Sequence, residues 1–359
     1  MMSNAMIFKC PCCGGYLEFD PSLQKFKCLY CGQVLSEADL QEQSAQREQA
    51  AEAAQEQVVE AVQTEAAQGS HLKGYQCQMC GAEIVTDETT AATRCYFCHS
   101  PVVLHDRLDD DFRPDGVIPF QLDKETAEKQ FMDYISKKKF VDRGFFNGAQ
   151  LEMFSGVYYP WWYTDIEGEA EFTGEGTRSS VHSTPTHIIT TTRVFKVNRE
   201  GKLSFRNLAR KALVKADGKL SDGIHPYDMS GVKPYASGYL SGFLAEKRDI
   251  SEAAAKEESL REASGYAATM MKQNHGFQTL DGTTNFRATS VKSRYVLMPA
   301  WVLTWKGGKD GVPYYYMMNG QTGKVCGKLP IDRKRVLATA LGVGLVVFIA
   351  LCGGGAFLW

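Results

Sequence analysis

The chain has 359 residues, 44% of them hydrophobic and 23% charged, a composition that suits two or three folded domains and excludes wholesale disorder. Its 40 Lys and Arg against 42 Asp and Glu leave a formal net charge of -2, so no chain-wide positive field gathers nucleic acid and any basic surface is local. The opening MMSNAMIFKCPCC lacks the charged start and apolar run of a secretory signal, which places the bulk of the chain in the cytoplasm and argues against a disulfide scaffold for its cysteines.

Cys10, Cys13, Cys28 and Cys31 form C-x2-C-x14-C-x2-C, and Cys77, Cys80, Cys95 and Cys98 repeat that spacing 67 residues later. Two thiolates two residues apart on a tight turn bind one ion, and a second such turn completes a tetrahedron. Gly14, Gly32 and Gly81 follow three of the turns, with His99 in the fourth equivalent place, and glycine supplies the permissive backbone that such turns need. YLEFDPSLQKFK and EIVTDETTAATR, between the paired turns, predict strand-turn-strand segments. The reading is two small β zinc ribbons, over 6–35 and 71–102, each holding one structural Zn2+, two ions in all, and each dependent on its ion to fold. Iron suits a four-thiolate tetrahedron as well and stays open as an alternative. Cys12, Cys326 and Cys352 fall outside the pattern and read as ordinary thiols. The first ribbon is close to neutral and the second acidic, which leaves little to neutralise phosphates.

Residues 36–70, rich in Glu, Gln and Ala, predict a polar helical spacer that separates the ribbons or holds them at a set distance; Val58, Val59 and Val62 make only a short apolar stripe. Residues 103–330 predict an α+β domain with an antiparallel sheet. One helix starts at Asp123 and places Ala127, Phe131, Tyr134 and Ile135 on one face; a second runs from Ile250 to Gly276, with Asp249 and Glu252 at capping-box spacing. GVYYPWWYTDIEGEAEF, THIITTTRVFKV, KLSFRNL and SRYVLMPAWVLTW read as strands, with turns at Asn198–Gly201, Asp310-Gly311 and Asn319. Their aromatic residues, Tyr158 to Trp162 and Trp301 to Tyr316 among them, read as core rather than as a ligand box. No G-x-S-x-G, H-E-x-x-H, phosphate loop or dinucleotide fingerprint occurs, and His182, His187, His225 and His275 are scattered, so no enzyme is expected.

The last segment, 336–359, carries no charged side chain and has the length of a transmembrane helix. Arg333, Lys334 and Arg335 precede it, with Lys324 and Lys328 nearby, which by the positive-inside tendency predicts a single-pass anchor in the cell membrane with the N-terminal domains cytoplasmic.

FKCPCCGG and YQCQMCGA, YYPWWY at Tyr158, PYASGYLSGFLAEKRDIS at Pro234 and MPAWVLTWKGGKDGVPYYYMMNGQTGKVCGKLPI at Met298 together resemble a bacterial family of membrane-anchored zinc-ribbon proteins associated with SPFH-domain (flotillin-like) and phage-shock-type membrane-stress proteins. The resemblance implies that the eight paired cysteines are the metal ligands and that 336–359 is the anchor. It further implies a non-enzymatic adaptor that recruits an SPFH-domain partner to the membrane. Recruitment falls to a ribbon or to the α+β domain; Met79, Tyr96 and Phe97 favour the second ribbon as the contact surface, with packing of the three on the adjoining domain as the alternative. The alternatives are a nucleic-acid-associated zinc-ribbon protein tethered at the membrane, and a metal- or redox-sensing membrane protein.

Overall fold

The computed structural model describes the chain apart from residues 1–2, 6–7, 40–71, 78–82, 88, 96–99, 105–111, 143–153, 215, 217, 274–275, 306–313, 328 and 357–359. In chain order its strands are β1 (Ser3–Ala5), β2 (Leu17–Asp20), β3 (Lys25–Cys28), β4 (Val34–Leu35), β5 (Leu72–Cys77), β6 (Glu83–Asp87), β7 (Thr90–Arg94) and β8 (Pro101–Val103). They continue with β9 (Gly116–Val117), β10 (Ser155–Ser183), β11 (Ile188–Lys211), β12 (Lys233–Pro234), β13 (Leu244–Glu246), β14 (Thr279–Trp305), β15 (Tyr314–Asn319) and β16 (Val325–Gly327). Strands β2, β3 and β4 make one small sheet and β1, β5 and β6 another; the remaining strands form a single 10-stranded sheet.

The structure corrects the expected fold class, an α+β domain with an antiparallel sheet. The described residues are mostly β, and the large sheet is mixed, because β13 runs parallel to β10 and β9 parallel to β14. What the sequence reading divided into short strands is continuous. Strands β10, β11 and β14 have 29, 24 and 27 residues, several times the usual length of about 5–6. They pair antiparallel from Trp161↔Lys211 to Ser183↔Ile188 and from Ser155↔Val302 to Thr177↔Thr279. The expected turn at Asn198–Gly201 lies inside β11, with Asn198 opposite Thr173 and Gly201 opposite Ala170. The chain reverses instead at Thr184, whose N–H donates to the His187 carbonyl at 2.8 Å. Strand β10 tolerates its glycines because rings lie across them: a Cβ added at Gly168 would meet the Phe286 ring at 2.5 Å, and one at Gly176 the Phe277 ring at 2.6 Å.

Asp123 caps the helix Lys124–Ser136 by accepting the Thr126 N–H, and Ala127, Phe131 and Ile135 are its buried face. The helix Glu252–Met271 buries Ala255, Ser259, Ala263, Ala267 and Met271, a strict four-residue spacing of mostly small side chains that lets it lie close. The aromatic and aliphatic residues it covers include Ile166, Phe172, Phe205 and Leu280. Its cap is Ser251, accepting from Ala254 N–H at 3.3 Å, while Asp249 accepts from Val214 N–H at 2.8 Å. The helix ends at Met271, short of Gly276. The turn at Asn319 forms between β15 and β16: Asn319 Oδ1 accepts the N–H groups of Gln321 and Thr322 at 2.8 and 2.9 Å. Asp310-Gly311 and almost all of the spacer lie outside the described residues.

The expected transmembrane helix is also corrected. A helix spans Arg333–Ala356, but among the described residues no helix is long and apolar enough to cross a membrane. It opens on three cations, Arg333, Lys334 and Arg335.

Candidate metal centre

The β2–β3 hairpin turns Leu17, Phe19, Phe26 and Cys28 inward by strand alternation. On either side of it the chain forms two knuckles with the same wiring. Cys10 N–H donates to Gly15 O at 2.6 Å and Gly14 N–H to Cys10 O at 2.9 Å; Cys28 N–H donates to Gln33 O at 2.8 Å and Gly32 N–H to Cys28 O at 3.0 Å. Gly14 and Gly32 hold φ values of +72° and +75°, which only glycine adopts without strain. The repeated turn brings the sulfurs of Cys10, Cys13, Cys28 and Cys31 within 4.8 Å of one another. Cys10 Sγ is 3.6 Å from Cys31 Sγ and Cys13 Sγ is 3.5 Å from Cys28 Sγ. A tetrahedral ion with metal–sulfur bonds of about 2.3 Å requires sulfurs roughly 3.8 Å apart, so these residues fit a metal and could hold one.

Electrostatics gives the same reading. Burial opposes ionisation of Cys28, yet the backbone N–H groups of Cys31 and Tyr30 and the neighbouring thiols bring it down to about 7. The Gln33 amide favours the Cys31 thiolate, but Cys13, burial and the other thiols outweigh it and push Cys31 up to about 12. Four sulfurs this close do not all carry charge without a cation among them. Cys10 and Cys28 are buried while Cys13 and Cys31 are exposed, so the quartet has one side open to incoming metal.

The second unit repeats part of this wiring. Cys77 and Cys95, the first cysteine of each pair like Cys10 and Cys28, are buried in one cluster with Tyr75, Val102 and Leu104. Cys95 N–H donates to Ser100 O at 3.0 Å, the same five-residue closure seen at Cys10 and Cys28. Cys80 and Cys98 lie outside the described residues, as do Met79, Tyr96 and Phe97.

The sequence reading missed how the first ribbon is seated. Phe19 N–H donates to Ser241 O at 3.1 Å and Ser241 Oγ to Leu17 O at 2.5 Å. Arg94 bridges Glu18 Oε1 at 2.8 Å and Gly242 O at 2.9 Å, and Gln24 Nε2 donates to Phe120 O at 2.7 Å. Tyr239 packs edge-on against Phe19 at 5.1 Å. Most of this seat belongs to PYASGYLSGFLAEKRDIS, whose small and aromatic residues carried no motif that would announce it.

His225 sits in a strongly perturbing environment. Its ring meets Trp161 at 4.1 Å and Tyr227 at 5.1 Å, with Nδ1 3.5 Å from the Tyr163 hydroxyl. Burial, and then the Lys324 charge, lower it from 6.5 to about 4. Below about pH 6.5 the unfolded chain takes up a proton that the folded chain refuses until about pH 4, so stability is expected to fall by about 3 kcal/mol across that window. Urea unfolding at its two ends measures the loss, which shrinks in His225→Gln.

No family model matches the chain, and no solved structure matches it. It is 29% identical over 251 residues to a protein of Bacillus subtilis (strain 168) described as "Uncharacterized protein YdjG", an alignment covering 69% of this chain and 73% of that protein. The chain is thus similar to a bacterial protein whose description assigns no activity.

Proposed function

We propose that the chain is a non-enzymatic adaptor, stiffened by two structural Zn2+ ions, that binds a protein partner through its ribbons. The observation that carries this is the closed quartet of Cys10, Cys13, Cys28 and Cys31: four thiolates fill a tetrahedron and leave no open position for substrate or water. The repeated closure at Cys95 supports a second ion on Cys77, Cys80, Cys95 and Cys98. Leu29 and Tyr30, inside the Cys28–Cys31 turn, are 55% and 66% exposed, an apolar pair on a rigid knuckle of the kind that anchors a partner. The first ribbon therefore offers a contact surface beside the one expected on the second. The quoted segments' resemblance supports an SPFH-domain (flotillin-like) protein as that partner, in a membrane-stress setting.

The test is affinity capture of an SPFH-domain protein by the full chain and by a Leu29→Ser, Tyr30→Ser variant, with zinc content measured on both. The intact chain is expected to retain the partner, and the variant to lose at least about tenfold in affinity at unchanged zinc content. Equal capture by both moves the contact away from the knuckle, and no capture by either sinks the adaptor reading.

A further inference from the structure

Beyond the Thr177↔Thr279 pair β14 ends, and β10 and β11 continue alone as a two-stranded hairpin, Thr177–Ser183 against Ile188–Val194. Its charge is one-sided. Lower on the arm the β11 cations meet acids: Lys196 lies opposite Glu175, Lys202 opposite Glu169, and Arg206 Nη2 is 2.6 Å from Glu167. Between Glu175 and Glu200 the sequence has no carboxylate at all. In that stretch Arg178 and Arg193 stand directly opposite each other, an arrangement that like charges disfavour. Neither makes an ion pair among the described residues. Arg178 is held instead over the rings of Phe277 and Phe195, at 4.9 and 5.7 Å.

The same hairpin exposes its aliphatic residues. The pairing register puts Val181, Ile188 and Val194 on one face, and they are 66%, 75% and 61% exposed; Ile189, on the arginine face, is 52% exposed. Val181 lies three residues beyond Arg178, about 10 Å along the strand. The turn closes with two backbone donors met, Thr184 N–H on His187 O at 2.8 Å and His187 N–H on Thr184 Oγ1 at 3.0 Å, and Pro185 has no N–H to satisfy, which reduces the number of donors that lose water when the tip enters an interface.

We propose that this hairpin docks on an anionic phospholipid surface, with Val181, Ile188 and Ile189 entering the interface and Arg178 and Arg193 meeting lipid phosphates. Apolar residues about 10 Å ahead of a cationic collar match the roughly 5–10 Å to which interfacial elements enter a bilayer. Nucleic acid suits the tip less well, because the exposed Val181, Ile188 and Ile189 side chains gain nothing against a phosphate backbone and Arg178 and Arg193 alone neutralise few phosphates. This goes beyond the adaptor reading and does not depend on the metal.

The experiment is flotation of the full chain with vesicles of phosphatidylcholine, with and without phosphatidylglycerol, at rising salt. The variants are Arg178→Gln, Arg193→Gln and, separately, Val181→Ser, Ile188→Ser, Ile189→Ser. Thermal unfolding midpoints establish that both still fold, and the exposed C-terminal helix is common to all three proteins. The intact chain is expected to bind anionic vesicles more tightly than neutral ones, with salt weakening the difference. Loss of both arginines should weaken anionic binding roughly 30-fold, and the serine variant should weaken it on both vesicle types. Binding that ignores lipid charge, or that both variants retain in full, overturns the proposal. So does retention on duplex DNA that falls with the arginines while vesicle binding stays unchanged.

Discussion

On the proposal that the first quartet holds an ion, removing it by a strong chelator or by Cys28→Ser is expected to unfold the ribbon and free its seat on the large sheet. The ribbon's own core is small, chiefly Phe8, Leu17, Phe19, Phe26 and Leu35, and units of this size draw about 10–16 kcal/mol from a structural zinc. Without that term the two knuckles retain four thiols whose proximity keeps them from ionising together. Hydrogen exchange reads the result. The amides of Phe19 and Cys28, bonded to Ser241 O and Gln33 O, should lose protection, while those in the middle of β10 and β14 keep theirs. On the two-ion proposal, zinc content falls from two ions per chain to one in Cys28→Ser. Full protection in the metal-free chain would mean that the seat holds the ribbon by itself.

Trp301→Ala is expected to cost about 3–5 kcal/mol, the range for deleting a buried aromatic side chain. Trp301 stacks on Phe154 at 5.5 Å with an interplanar angle of 3° and approaches Phe120 at 5.0 Å. Its Nε1 donates to Leu122 O at 3.1 Å, tying β14 to the segment that leads into the helix Lys124–Ser136. Truncation therefore opens a cavity and strands a carbonyl together. Urea denaturation should show a lower midpoint at unchanged slope, with Trp301→Phe in between. A loss below about 1 kcal/mol would show that the neighbouring rings close over the gap.

The first metal quartet was legible because its chemistry is local. Cysteine spacing and the glycines after it specify two turns, and those turns bring four sulfurs together whatever lies around them. The Asp123 cap and the Asn319 turn were legible for the same reason. The long strands were not. Gly168, Gly174, Gly176, Asn198 and Gly201 are residues that local rules assign to turns, and the rings of Phe277 and Phe286 that pack across two of these glycines come from β14 and the residues just before it, about a hundred residues away in sequence. The mixed sheet was hidden likewise, since β9 and β13, of two and three residues, carry no period. The terminal helix misled in the opposite direction: the apolar run from Val336 was read by itself, whereas the helix that carries it begins on Arg333, Lys334 and Arg335.

The short strand β1 pairs in parallel with β5, Ser3 beside Tyr75 and Ala5 beside Cys77, and Tyr16 of the first ribbon packs against the cluster that holds Cys77 and Cys95. The two cysteine units are therefore fastened to each other directly, through β1 on β5 and through the Tyr16 ring, so that a disturbance in one reaches the other without passing through the large sheet. A one-residue slip of β1 would take Ser3 off Tyr75 and Ala5 off Cys77 and so break the register that joins the N-terminus to the second unit.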